Sequence, residues 1–284
     1  MSTLLYKFTG GFTDINSTQM NTTTFLMIIP LFIFMCLPAV AQQENKEAWN
    51  NRQCAVVLTY DDGLHVHIDK VIPVLDSLGL KATFYIPCNS SCLSTRMEEW
   101  RTVAAHGHEL GNHSLFHPCV GKSKGRNWVK PEYDLDTYTV TRMVDEIRLA
   151  NIMLRAIDGK TNRTFAYTCG DKAAGGASFV DSIQKDFSGA RGTRSGMNMF
   201  GDTDLMDIKS YMINGQSADE MIDLVKTAEK EGALVVFLFH GVGGEHAINV
   251  NLADHNKLLE YLGNRKSTIW VAPLNEISSY MIDH

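Results

Sequence analysis

No stretch of this 284-residue chain is strongly basic, and no basic stripe carries interleaved aromatics. That removes the electrostatic footprint of a nucleic-acid binder. The formal charge is −6, a mildly acidic balance that suits a neutral or cationic ligand without demanding one. Gly-x-Ser-x-Gly is absent, so the strand-to-helix elbow of a serine esterase is missing. Gly241-Val242-Gly243-Gly244 is not a phosphate loop, because no Lys-Ser/Thr follows it. No long linker divides the chain and no fixed-period repeat runs through it, which favours a single domain.

Long apolar runs are scarce as well. Phe25 to Leu37 is short for a bilayer span but has the length of a signal-peptide core. Pro38-Ala39-Val40-Ala41 follows, an A-x-A cleavage pattern before Gln42. Met20 to Thr24 carries no charge, so the usual basic lead is missing, and residues 1–19 can be upstream of a true start at Met20. Cys36 sits in a poor lipobox. The expectation is a signal segment over 1–41, a polar lead-in over 42–53 and a catalytic domain over 54–284. The mature protein is then exported, periplasmic or secreted, with no stable membrane span. A retained N-terminal anchor is the alternative. Five cysteines follow Ala41, an odd count that leaves at least one thiol unpaired. Cys88 and Cys92 are close enough to pair, although connectivity is not readable from spacing.

Apolar strand patterns alternate with helical ones along the whole of 54–284. Strands are expected over 54–60, 81–87, 108–113, 164–168, 189–193, 206–213, 234–239 and 268–272. Helices are expected over 66–78, 95–105, 137–157, 178–187, 217–231, 253–262 and 274–282. Near-continuous apolar strands separated by helices imply a parallel sheet covered outside, closed or nearly closed into a barrel.

Three of these strands end in residues that bind metals or move protons. Cys54-Ala55-Val56-Val57-Leu58 leads into Thr59-Tyr60-Asp61-Asp62-Gly63. Consecutive strand side chains point to opposite faces, so Asp61 and Asp62 should differ in surroundings and in task. The third strand runs into His113-Ser114-Leu115-Phe116-His117, whose histidines share a face if the segment turns helically. The strand 234–239 ends in His240. Taken singly, Asp-Asp-Gly reads as a turn and His-x3-His as a solvated helix face. Together, at the strand ends where a barrel keeps its chemistry, they form a two-His-one-carboxylate set with open positions.

At these residues the sequence resembles the polysaccharide deacetylases, carbohydrate esterase family 4, whose domain is the NodB-homology domain. Thr59 to Gly63 is similar to the first family motif, His113 to His117 to the second, and Phe237-Leu238-Phe239-His240 to the fifth. The resemblance implies an α/β fold: a distorted, incomplete (β/α) barrel of seven or eight strands in a single domain. It implies one divalent metal, Zn2+ first and Co2+, Ni2+ or Mn2+ after it, on Asp62, His113 and His117. It makes Asp61 the general base on metal-activated water and His240 the general acid. The implied partner is an acetylated carbohydrate, and the implied reaction is removal of N- or O-linked acetyl groups.

The chain also departs from the family pattern. The third motif, Arg-Pro-Pro before an aromatic and Gly, is represented by Phe165-Ala166-Tyr167-Thr168-Cys169-Gly170, with Ala166 where Arg would stand. Arg163 faces the wrong side of such a strand. Arg191 or Arg194 could take over, and Tyr167 and Arg191 are therefore supporting candidates. No fourth motif stands out, with Asp202, Asp204 and Asp207 as candidates for its acid. His65 and His67 read as largely exposed beside the site. His106, His108, His246 and His255 have no partner evident in sequence. Trp128 could stack on a sugar ring, and Trp270 reads as core. Two further functions stay open: hydrolysis of a non-sugar, cyclic amide by the same residues, and metal-stabilised glycan binding without turnover.

Overall fold

The computed structural model describes residues 49–284. The expected signal segment, the alternative start at Met20 and most of the lead-in lie outside the described residues.

Eight strands make the main sheet: β1 Cys54–Asp61, β2 Thr83–Ile86, β3 Glu109–Asn112, β4 Thr164–Ala166, β5 Gly189–Arg191, β6 Tyr211–Met212, β7 Leu234–Phe239 and β8 Ile269–Val271. Their order is β5-β4-β3-β2-β1-β7-β6, with β8 paired to β1. Every one of these pairings is parallel. Parallel neighbours need long crossovers, which the helices supply. These are α1 Ile72–Ser77, α2 Ser91–Thr95, α3 Met97–Ala105, α4 Val140–Asp158, α5 Val180–Ile183, α6 Ala218–Glu231, α7 Leu252–Gly263 and α8 Leu274–Asp283.

β1 is the axis of this arrangement. All eight of its residues are buried, and burying a Val or Leu side chain contributes roughly 1.5–3 kcal/mol. β7 pairs with it from Ala55 to Tyr60. Its other edge is shared: β8 takes Cys54–Val56, and β2 takes Thr59–Asp61. The series curls until Arg191 of β5 bridges Ile208, just ahead of β6. Closure rests on that short contact, so the barrel is incomplete and distorted, as the resemblance implied. Outward side chains such as Leu58, Phe84 and Phe237 pack under the helices with Leu75, Trp100, Val225 and Leu258. Inward ones, Val57, Tyr85, Ala166 and Val236, close the ring's interior.

Two boundaries differ from expectation for local reasons. The strand expected over 206–213 shrinks to Tyr211–Met212 because its residues change partners. Ile208 N–H bonds Ala190, Lys209 N–H bonds the Asn198 side chain, and Ser210 N–H bonds Arg194. The first expected helix opens as a wide turn, His67–Val71, in which Ile72 N–H reaches back five residues to the His67 carbonyl. Pro73 has no N–H, and its ring crowds the carbonyl four residues back, so a regular turn is disfavoured there.

The N-terminal end of the ring is sealed by a buried carboxylate. Glu109 Oε1 accepts from Thr164 N–H and Thr164 Oγ1, and Oε2 accepts from Thr83 Oγ1 and Asn275 N–H. Burial outweighs these bonds and raises its carboxyl above the ordinary value.

Candidate active site

β1 delivers Asp61 to the C-terminal end of the sheet, and the backbone then reverses. Asp62 takes a left-handed conformation (φ +77°), followed by Gly63 (φ +57°). A Cβ on Gly63 would lie 2.9 Å from Ile86, so the turn admits only glycine without displacement. The reversal cancels the strand alternation expected of the two acids. His113 Nε2 is 3.8 Å from both Asp61 Oδ2 and Asp62 Oδ1. Their surroundings still differ: Asp61 is buried, whereas Asp62 faces His117 and His246 at 3.5 and 3.7 Å.

His113 and His117 converge without a helical turn. Asn112 Oδ1 accepts from Ser114 N–H at 2.7 Å, and Ser114 Oγ accepts from His117 N–H at 3.0 Å. Ser114 and His117 both have positive φ. These two side-chain-capped turns bring the imidazole centroids to 4.7 Å. His113 Nδ1–H donates to the Ala166 carbonyl at 2.9 Å, which turns the Nε2 lone pair toward the acids. Burial pushes this imidazole down to about 4, ahead of the opposing pull of Asp61. It is therefore neutral at neutral pH.

The arginine missing from β4 is supplied by its neighbour. Ala166 and Arg191 are register partners on β4 and β5. Arg191 Nη2 donates to Asp61 Oδ2 at 2.5 Å, with both side chains buried. The guanidinium lies 5.1 Å from the centre of the Tyr85 ring. That ring fits only because residue 111 is glycine: a Cβ there would sit 2.5 Å from Tyr85 Cδ1. Asp61 Oδ1 is buried and has no protein partner. Arg194 instead pairs with Asp207 on the exposed side, and Arg163 is buried against Asp158. Asp207 is also held by Lys172, so it does not back His240. His240 Nδ1 is buried without a partner, and no described residue replaces the fourth-motif acid.

His240 stands across the cavity, stacked on His246 with centroids 4.8 Å apart. Burial holds its imidazole below the ordinary range. Its carbonyl accepts from His67 Nε2–H at 2.8 Å, while His67 Nδ1 accepts from Leu64 N–H. His67 is thus fully buried beneath the site, contrary to the expected exposure, because these two backbone groups at the ends of β1 and β7 need one imidazole between them. His246 enters on the glycine-containing loop after β7 and lines the cavity. Ile248 N–H donates to its Nδ1. The proximity of this loop to the site was the only signal in sequence. Tyr167 lines the same cavity and gives its hydroxyl to Met206 O at 2.9 Å.

The cavity encloses about 780 Å3, a volume suited to a small-molecule or sugar-sized ligand. Seven described non-glycine residues have positive φ, and Asp62, His117, Cys169 and Glu245 of these line this cavity. Backbone strain is thereby gathered around the site, where surrounding contacts must hold it. The ligand atoms of Asp62, His113 and His117 lie within 4.8 Å of one another. Two imidazoles and one carboxylate, with a backbone carbonyl orienting one ring, suit a divalent cation. Burial works to raise the Asp62 carboxyl, but His117, His113, His240 and His246 outweigh it and keep it low. The carboxylate is therefore ionised and fit to coordinate.

The structure supplies the cysteine connectivity that spacing left open. Cys119 and Cys169 form a disulfide beside His117, across 50 residues. Cys88 and Cys92 are separate buried thiols, raised by burial to about 12 and about 11. Both belong to the core packed around the sheet. Other histidines also have partners distant in sequence: His108 bonds Asp76 and Ala82 N–H, and His255 bonds the Tyr60 hydroxyl. Trp270 is only half-buried, against Tyr280.

Residues 49–178 match the family model described as Polysaccharide deacetylase. Solved structures share the fold. One is a probable polysaccharide deacetylase from Pseudomonas aeruginosa (9% identity, 83% of this chain and 93% of that chain, TM-score 0.56). Another is the Xyl-CE4 domain of a multidomain xylanase from the hindgut metagenome of Trinervitermes trinervoides (16%, 80% and 90%, TM-score 0.50). A third is Puue allantoinase (10%, 81% and 90%, TM-score 0.57). At such identities the likeness concerns the fold.

Proposed function

The chain belongs to the polysaccharide deacetylase family, and from that premise we propose that it removes N- or O-linked acetyl groups from a poly- or oligosaccharide. Asp62, His113 and His117 would hold one divalent cation, Zn2+ by preference, with Co2+, Ni2+ or Mn2+ compatible with the same donors. Such a cation, when bound, polarises a carbonyl and acidifies water. Asp61 is the general base. Arg191 occupies its Oδ2, which leaves Oδ1 as the oxygen that can take a proton. Arg191 also fixes the orientation of Asp61. His240, on the opposite wall, returns a proton to the departing amine or alcohol. Tyr167 shapes the wall between them.

The observation that carries this reading is the free oxygen of a buried, cation-paired Asp61 beside the Asp62–His113–His117 cluster. A glycan binder without turnover has no use for such a base. Hydrolysis of a cyclic amide would use the same residues, and only substrate separates it from deacetylation. The test is acetate release from N- and O-acetylated oligosaccharides by chelated protein with each metal added back. Release that returns with metal supports the proposal; none with any metal rejects it.

Export is part of the same proposal. It rests on the Phe25 to Ala41 pattern and on the Cys119–Cys169 disulfide, a bond that persists in oxidising compartments. No described helix is long and apolar enough to cross a membrane.

A further inference from the structure

The imidazole of His117 stands between two groups of metal donors. Its Nε2 lies 3.5 Å from Asp62 Oδ1. Its Nδ1, on the far side of the ring, lies 3.7 Å from Cys119 Sγ. Donor atoms of His117, Cys119 and Cys169 fall within 4.8 Å of one another, as those of Asp62, His113 and His117 do. The two cysteines are joined as a disulfide, and neither sulfur then carries the charge of a thiolate ligand. A neutral imidazole has one lone pair. A disulfide sulfur can only accept, so the Nδ1 proton faces Cys119 and the Nε2 lone pair faces Asp62.

The two sulfurs are kept together by more than the bond between them. Cys119 N–H donates to the Tyr133 carbonyl, and the Cys119 carbonyl accepts from Leu135 N–H. The Cys169 carbonyl accepts from Arg126 Nη2 at 2.8 Å. Their neighbours are tied directly, because Thr168 Oγ1 donates to the Pro118 carbonyl. Cys119 is fully buried, whereas Cys169 lines the large cavity. A reductant entering there meets Cys169 first.

We propose that reduction of Cys119–Cys169 creates a second metal site, two thiolates and His117 Nδ1, which takes a thiophilic divalent cation such as Zn2+ and silences the first site. A small dithiol supplies the two electrons. Its thiolate attacks Cys169 Sγ, and Cys119 leaves as a thiolate. The second thiol of the reductant then closes on the first, releasing Cys169 and a cyclic disulfide. The reductant's two thiol protons pass to solvent as the cation binds both thiolates. Two thiolates and one imidazole are a zinc donor set, softer than a pair of imidazoles with a carboxylate. Coordination at Nδ1 places the ring's proton on Nε2 and withdraws that nitrogen from Asp62 and His113. The two sites therefore exclude each other through a single lone pair. Turnover is confined to compartments in which the disulfide persists. This inference rests on the metal site and reaction proposed above, whose regulation it describes.

The experiment compares oxidised protein with protein reduced by dithiothreitol and desalted without air. Co2+ added to the reduced form should give a thiolate-to-metal charge-transfer band that the oxidised form lacks. Cys54, Cys88 and Cys92 are buried free thiols in the oxidised form too, so they cancel in the comparison. The band should weaken in reduced His117→Ala. Acetate release with equimolar Zn2+ should fall roughly 10–100-fold on reduction, the scale on which a metal ligand's surroundings change activity, and return on reoxidation. The double variant Cys119→Ser/Cys169→Ser lacks both the bond and the thiolates, and should outpace the reduced native chain. If it is equally impaired, the lost cross-link explains the fall and thiolate capture is overturned. A reduced chain without the band, a band indifferent to His117→Ala, or unchanged turnover on reduction also overturns it. If the oxidised chain releases no acetate with any metal while the reduced chain shows the His117-dependent band, the second site stands and the deacetylase reading falls. If neither acetate nor the band is seen, both fall.

Discussion

Two carboxylates are buried at opposite ends of the same ring of strands, and they are treated in opposite ways. Glu109, at the start of β3, has both oxygens satisfied by four neutral donors. Asp61, at the end of β1, has one oxygen gripped by a guanidinium and the other bare. Tyr85 stands between them, its ring beneath Arg191 and its hydroxyl on Thr164 Oγ1, which also bonds Glu109. A fully bonded acid in a dry interior ties strands together, whereas an acid left half-bonded beside the Asp62–His113–His117 cluster can accept a proton. The difference separates a carboxylate that ties strands together from the one proposed above as the base, without reference to sequence motifs.

That contrast can be broken directly. Asp61→Asn should lower acetate release by roughly 10²–10⁴-fold, the usual worth of a general base. Its thermal midpoint should also fall, because the variant leaves the buried Arg191 charge without its partner, and a variant that stays active would remove Asp61 from the mechanism. Arg191→Ala strands a buried charge, which costs about 3–5 kcal/mol. Urea unfolding should report that loss together with reduced turnover. Arg191→Lys should recover little of either, because the planar fork is lost.

Acid should weaken both ends of the ring. His67 beneath the mouth and His108 near Glu109 are each held by burial at about 4. Their unfolded value is about 6.5. Below that value the unfolded chain takes up protons that the folded chain refuses. Stability is therefore complete above pH 6.5 and declines as pH falls toward 4, by up to about 3 kcal/mol per histidine. Urea midpoints at pH 7, 6 and 5 measure the slope, and a flat profile would contradict the burial of these rings. The mildest effect is expected from Glu109→Gln. The amide turns one donor toward Thr83, Thr164 or Asn275 and should cost about 1–3 kcal/mol. Acetate release at room temperature should be retained, and a deep loss of turnover would show that the two ends are not separable.

Much of this was legible along the chain. Apolar runs alternating with helical spacing implied a parallel barrel, and strand ends marked Asp61, Asp62, His113, His117 and His240. What escaped depended on contacts between distant segments. Arg191 was a candidate alongside Arg194 and could not be chosen over it, because it lies on a strand of three residues with little pattern and its partner is 130 residues away. The left-handed turn at Asp62 is a backbone event that no hydrophobic period records. Cys119 and Cys169 are neighbours only because β3 and β4 pair. His67 read as exposed, and His108 and His255 as unpartnered, because their partners were out of view, as with Tyr60 and His255, separated by 195 positions.

The register of Ala166 against Arg191 has one more consequence. Asp61 meets a positive group at one point in space, and adjacent ladders are equally able to reach it. The small side chain at 166 leaves clearance for the longer arm from next door to cross. The positive charge on Asp61 therefore comes from β5, one ladder over from the run that carries Ala166.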